Sequence, residues 1–158
     1  MGRVHLVNDN VRYLYCVKKV VVFGSFLESV DRLGDVDVAV DLQPRMPLKG
    51  EWVEAFRKHA QNSGRQFYAF EEEIDWPRRE VVLVLKARKR GISMQPWFAF
   101  VAMEKSAGFK YKVLLGSAEE IQRELDSAMC ENSQRRGYRR SGSESGEPRL
   151  KRDQSTVD

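Results

Sequence analysis

Cysteine, histidine and long apolar runs are scarce in this 158-residue chain, and each scarcity excludes something. Two cysteines, Cys16 and Cys130, cannot build a disulfide framework, which points to a reducing, cytoplasmic setting. Adding the two histidines, His5 and His59, leaves too few ligands for a Cys/His zinc centre. No stretch approaches the roughly 18 consecutive apolar residues that a membrane-spanning helix needs, and mean hydropathy is −0.53. The N-terminus is interrupted by Asn8, Asp9 and Asn10 and does not read as a secretory leader.

What is present suffices for one ordinary domain. Hydrophobic residues make up 42% and charged residues 32%, so a core can form. The net charge of +4 makes phosphate-bearing partners plausible without requiring them. Half of that excess lies in the last 28 residues, where seven basic side chains stand against five acidic ones. Tyr138, Leu150 and Val157 are the large apolar residues there, too few to offset the entropy of ordering. Residues 1–130 are therefore expected to fold, and 131–158 to form a disordered basic tail.

The periodicities predict short strands alternating with helices. Asn8–Lys18 is expected to be a short helix leading into Val20-Val21-Val22-Phe23, whose unbroken apolar run suits a strand covered on both faces. Phe26–Leu33 carries apolar residues at helical spacing. Asp35–Leu42 alternates acidic and apolar side chains and reads as a half-exposed strand ended by Pro44 and Pro47. Glu51–Asn62 is an amphipathic helix. Gln66–Phe70 is expected to be a short strand, Glu71–Asp75 an acidic loop, and Arg78–Arg90 a helix between Pro77 and Gly91. Strand Ile92–Gln95, helix Pro96–Glu104, strand Tyr111–Leu115 and a helix over 118–129 follow, the last capped by Ser117 with Glu120. The fold class expected is α/β or α+β, a small mixed sheet flanked by helices.

The chemistry concentrates in two pieces nine residues apart. A buried strand emerges at Gly24-Ser25, where the missing side chain lets backbone N–H groups approach an anion and Ser25 adds a hydroxyl. Then come Asp35 and Asp37, two residues apart on one strand face, with Cα atoms roughly 6.6 Å apart. No basic residue neighbours them in sequence, and a hard divalent cation such as Mg²⁺ would relieve their repulsion.

An apolar strand, Gly24-Ser25, a short spacer and Asp35-Val36-Asp37 within an apolar strand resemble the signature of the DNA polymerase beta-like nucleotidyltransferase superfamily, and its minimal members in particular. The match is tight over about residues 19–42 and holds only in element order beyond. It implies that Gly24 and Ser25 bind the β/γ-phosphates of an NTP and that Asp35 and Asp37 hold Mg²⁺ or Mn²⁺. It also implies transfer of a nucleoside monophosphate to a protein or RNA acceptor. A toxin–antitoxin pair, with a cognate toxin or antitoxin as partner, is the setting the resemblance suggests. Active members place a third carboxylate on a neighbouring strand, and Gln66–Phe70 offers none. Glu73, Asp75 and Glu80 are the candidates, with Glu80 assigned as the third catalytic residue against its reading as an ordinary first-turn helix acid. Without it, the chain would be a non-catalytic nucleotide-binding or protein-interaction module.

Other polar residues take plainer readings. Asp41 lies two alternations past Asp37 and reads as a solvated strand end. Lys86, Arg88, Lys89 and Arg90 suit a helix C-terminus, with nucleotide or RNA contact as the alternative. Trp52, Phe56, Trp97 and Phe98 are expected in the core, and His59 on the apolar face of its helix.

Overall fold

The computed structural model describes residues 2–27, 35–47 and 50–127. In chain order it contains α1 (Gly2–Asn8), β1 (Tyr15–Phe23), a 3₁₀ turn (Gly24–Leu27), β2 (Val36–Pro44) and α2 (Trp52–Gln61). Then follow α3 (Phe70–Lys86), β3 (Ile92–Pro96), α4 (Trp97–Ala107), β4 (Tyr111–Leu115) and a helix, α5, over 118–127. The strands form one sheet in the order β3-β2-β1-β4. β1 is antiparallel to β2 and β4, while β2 and β3 run parallel, joined through α2 and α3. The fold is α+β: a mixed four-stranded sheet flanked by helices.

Both faces of the sheet are covered, which explains the unbroken apolar run of β1. Val17, Val20 and Val40 pack with Val4 and Val7 of α1 and Val81 of α3. Val21, Phe23 and Ala39 pack on the other face against Phe100 of α4 and Ile121 and Leu125 of α5. A bulge between Val17 and Lys19 lets Val17 and Val20 share a face despite their odd spacing. Lys19, in step with Val21 and Phe23, lies on the face covered by α5.

Several boundaries differ from expectation. Asn8–Lys18 is not a helix: the N-terminal helix ends at Asn8, and Tyr15 already belongs to β1. Val17 and Tyr13 are drawn into the core there, and the Asn8 side chain bonds both the N–H and the carbonyl of Val17 at 2.8 and 2.9 Å. Gln66–Phe70 is not a strand and Glu71–Asp75 is not a loop, because α3 starts at Phe70. Its first turn carries Glu71, Glu72 and Glu73, which favour the positive end of the helix dipole. Pro77 consequently sits inside the helix, where it was expected at the start. The helix stops at Lys86, short of Gly91, since Ala87 and Arg88 turn left-handed at φ 47 and 60°. Ser117 Oγ accepts from the Glu120 N–H at 3.4 Å, one half of a capping box; the Glu120 carboxylate instead meets Lys19 at 3.3 Å. Residues 28–34 of the expected Phe26–Leu33 helix, Cys130 and the tail over 131–158 lie outside the described residues.

Candidate functional site

The sequence forces a turn at the end of β1. Gly24 takes φ +80°, a conformation that L side chains resist, and opens the 3₁₀ turn. The same residue faces β2: a Cβ placed on Gly24 would stand 3.2 Å from Asp37 Oδ2. Phe23 and Asp37 are register partners across β1 and β2, which fixes that approach. Gly24 and Asp37, 13 positions apart, are thus neighbours. Ser25 is exposed on the turn, beside an exposed Phe26.

Asp35 immediately precedes β2 and is exposed, while Asp37 is half-buried within it. Entry to the strand is anchored by the Val36 N–H donating to the Gly91 carbonyl at 2.9 Å. Among the described residues, no ion pair includes either carboxylate. Their oxygen-only donor set and the side-chain-free backbone beside Asp37 suit a hard divalent cation with a phosphate ligand. No group of three or more metal-ligating side chains occurs among the described residues.

The remaining carboxylate candidates are placed elsewhere. α3 covers the Val20–Val40 face, and the register puts Asp37 on the other, with Ala39. Glu80 is 8% exposed on α3; its Oε1 accepts from Arg12 Nη2 and its Oε2 from His59 Nε2, both at 2.7 Å. Glu73 pairs with Arg57 at 2.9 Å and Asp75 lies 3.9 Å from Arg78. The neighbour of Asp37 on the adjacent strand is Ser93, its parallel register partner on β3, whose Oγ accepts from Gln95 Nε2 at 3.2 Å. The alternation of Ile92–Gln95 carried that signal, but only the strand order shows which residue meets Asp37.

Asp41 is not a solvated strand end. It faces Lys19 in register, with 3.9 Å between carboxylate and ammonium. Lys19 is 5% exposed and is held by Glu124 and Glu120 of α5, with its ammonium 5.4 Å from the Trp97 ring centre. Burial works against the charged lysine, yet its bonds to Glu124 and Glu120 outweigh that and raise its pKa. Burial raises the Asp41 pKa as well, and the Lys19 charge only partly opposes it. The two effects agree once Glu124 and Glu120, and not Asp41, are recognised as the main partners of Lys19. The Trp97 indole donates to Glu124 at 3.0 Å, completing the cluster.

His59 lies half-buried at the core boundary on the face of α2 that carries Phe56 and Ala60, as expected, and pairs there with Glu80, whereas Phe98, expected in the core, is 73% exposed. Among the described residues, no helix is long and apolar enough to cross a membrane. Compared with known proteins, the chain matches no family model, no curated protein and no solved structure.

Proposed function

We propose that the chain binds a nucleoside triphosphate with Mg²⁺ or Mn²⁺ where β1, the 3₁₀ turn and β2 meet, and transfers its nucleoside monophosphate to a protein or RNA hydroxyl. The observation that supports this reading is the approach of left-handed Gly24 to Asp37 Oδ2. It joins an anion-accepting turn to an unpaired carboxylate with no side chain between them. Gly24 and Ser25 offer N–H and O–H donors to the β/γ-phosphates, and Asp35 and Asp37 would hold the cation. When bound, the ion would neutralise charge on the phosphates. In the transfer, the acceptor oxygen bonds to the α-phosphorus while the bond to the bridging oxygen breaks. Pyrophosphate leaves with that electron pair, and the acceptor proton passes to solvent.

One observation favours a second reading, a catalytically degenerate nucleotide-binding or protein-interaction module, such as one member of a toxin–antitoxin pair. Ser93 occupies the strand position opposite Asp37, while Glu73, Asp75 and Glu80 are engaged by arginines and His59.

Calorimetric titration of ATP, GTP, CTP and UTP, with and without Mg²⁺, tests the binding shared by the catalytic reading and the nucleotide-binding form of the second. Wild type should bind at least one of them only with the metal, and the Asp35→Asn/Asp37→Asn variant should bind none. Transfer of label from an α-labelled NTP to acceptor then separates catalysis from binding. Absence of any NTP binding would sink the transferase reading and leave a protein-interaction module.

A further inference from the structure

On the face of the sheet opposite Lys19, a polar cavity of about 510 Å³ is lined by Arg12, His59, Asn62, Ser63 and Glu80. The nucleotide site uses none of these residues. Glu80 is the organising group. Its two oxygens are taken by two different donors, Arg12 Nη2 and His59 Nε2, each at 2.7 Å. A buried carboxylate satisfied in this way presents little free charge to the cavity and holds its two partners in place.

What remains available are donors. The Arg12 guanidinium carries five N–H groups and spends one on Glu80 in this network, and its side chain is 66% exposed. Its backbone is tied down by the Arg12 N–H donating to Asn10 Oδ1 at 3.0 Å. With Nε2 bonded to Glu80, the second ring nitrogen of His59, Nδ1, has no partner among the described residues. It is not sealed off either, since the buried and partnerless side-chain polar atom found there is Trp76 Nε1. Asn62, at the C-terminal end of α2, contributes an exposed amide.

We propose that this cavity binds a phosphoryl-type oxyanion, held by the free N–H groups of Arg12, by the free ring nitrogen Nδ1 of His59 and by the Asn62 amide. Glu80 acts as the positioning residue that aims the first two. The volume leaves room for the group carrying the phosphate, since small-molecule sites span roughly 300–1,000 Å³.

The test is NMR of the full chain, following the His59 ring and Asn62 amide signals while inorganic phosphate is added, with a 5′-mononucleotide as a second arm. Both probes should shift these signals saturably; tighter mononucleotide binding identifies an esterified phosphate as the occupant, equal binding a free one. Arg12→Gln should weaken binding by ~10-fold or more, as expected for loss of a charge-assisted contact, and Arg12→Lys should recover part of it. Asn62→Ala, at an exposed position that the fold does not need, should weaken it less. The Asp35→Asn/Asp37→Asn variant should bind phosphate here as wild type does, which separates this cavity from the nucleotide site. Unmoved His59 and Asn62 signals at ~50 mM phosphate would overturn the proposal, as would shifts indifferent to both Arg12→Gln and Asn62→Ala. The Arg12–Glu80–His59 network would then be a structural tie between α2, α3 and the turn.

Discussion

Replacing Gly24 by Ala should separate the backbone role of this residue from its role at the site. Gly24 has φ +80°, and a non-glycine residue pays about 1–2 kcal/mol to stay left-handed. At about 4 °C per kcal/mol for a domain of this size, the melting midpoint should fall by about 4–8 °C. The new methyl would also stand 3.2 Å from Asp37 Oδ2, closer than carbon and oxygen comfortably pack. The carboxylate must therefore swing away from the turn. Gly64→Ala supplies the control, because Gly64 has φ +71° with nothing within 4 Å of its Cβ position. Both variants should lose similar stability by thermal circular dichroism. Only Gly24→Ala should lose Mg²⁺-dependent nucleotide binding by calorimetry, by ~10-fold or more for a contact worth at least about 1.4 kcal/mol. Wild-type nucleotide affinity in Gly24→Ala would refute the coupling of turn and carboxylate. An equal loss in Gly64→Ala would refute it too, by making the effect one of general stability.

Ser93→Asp would put a third carboxylate opposite Asp37. Like charges facing across strands cost up to about 1 kcal/mol, so the variant should melt lower in EDTA and recover in millimolar Mg²⁺, with increased label transfer if the site is catalytic. Identical melting in the two buffers would show that no cation is held between these strands. Lys19→Met should destabilise the protein, because it leaves Glu124, Glu120 and Asp41 around an apolar side chain. Glu120 and Glu124 are 55% and 40% exposed, which puts the loss below the roughly 3–5 kcal/mol of a fully buried pair. Because the folded pKa of Lys19 is raised, its contribution is complete below the ordinary lysine value of 10.5 and disappears as pH rises through the higher folded value. Wild type should therefore lose stability in that alkaline range by an amount that Lys19→Met does not. Parallel alkaline curves for the two proteins would contradict this placement of the charge.

Periodicity revealed whatever was decided within a few residues. The run Val20–Phe23, the alternation after Asp35, and the helices near 51–62 and 97–104 each follow from local side-chain spacing, and each is present. The Gly24–Asp37 approach was not legible from spacing; it follows from the register that pairs Phe23 with Asp37 across β1 and β2. The errors share one physical origin, competition between local signals and long-range packing. Pro77 and Gly91 bracket a plausible helix, but three glutamates at the positive end of the dipole and the burial of Trp76 extend α3 back to Phe70. That extension decides the fate of Glu80. A helix starting near Pro77 would have made Glu80 an ordinary first-turn acid, free to be assigned to a site. In the folded chain it lies mid-helix, buried, on the face away from Asp37, where Arg12 and His59 claim both oxygens. Neither partner is near it in sequence, at separations of 68 and 21 residues, so no spacing rule could find them. The buried Lys19 was hidden for a related reason. Lys19 alternates in step with Val21 and Phe23, but the helix that buries it there is α5, whose Glu124 lies 105 residues away in sequence. Two carboxylates that looked similar in the sequence, Asp37 and Asp41, are thereby given opposite environments on the same strand. Asp41 shares a cluster with the Lys19 ammonium, while Asp37, in no ion pair among the described residues, stands beside a bare backbone turn. An exchangeable cation needs the second arrangement, which is why the candidate site is confined to the Gly24 end of β2.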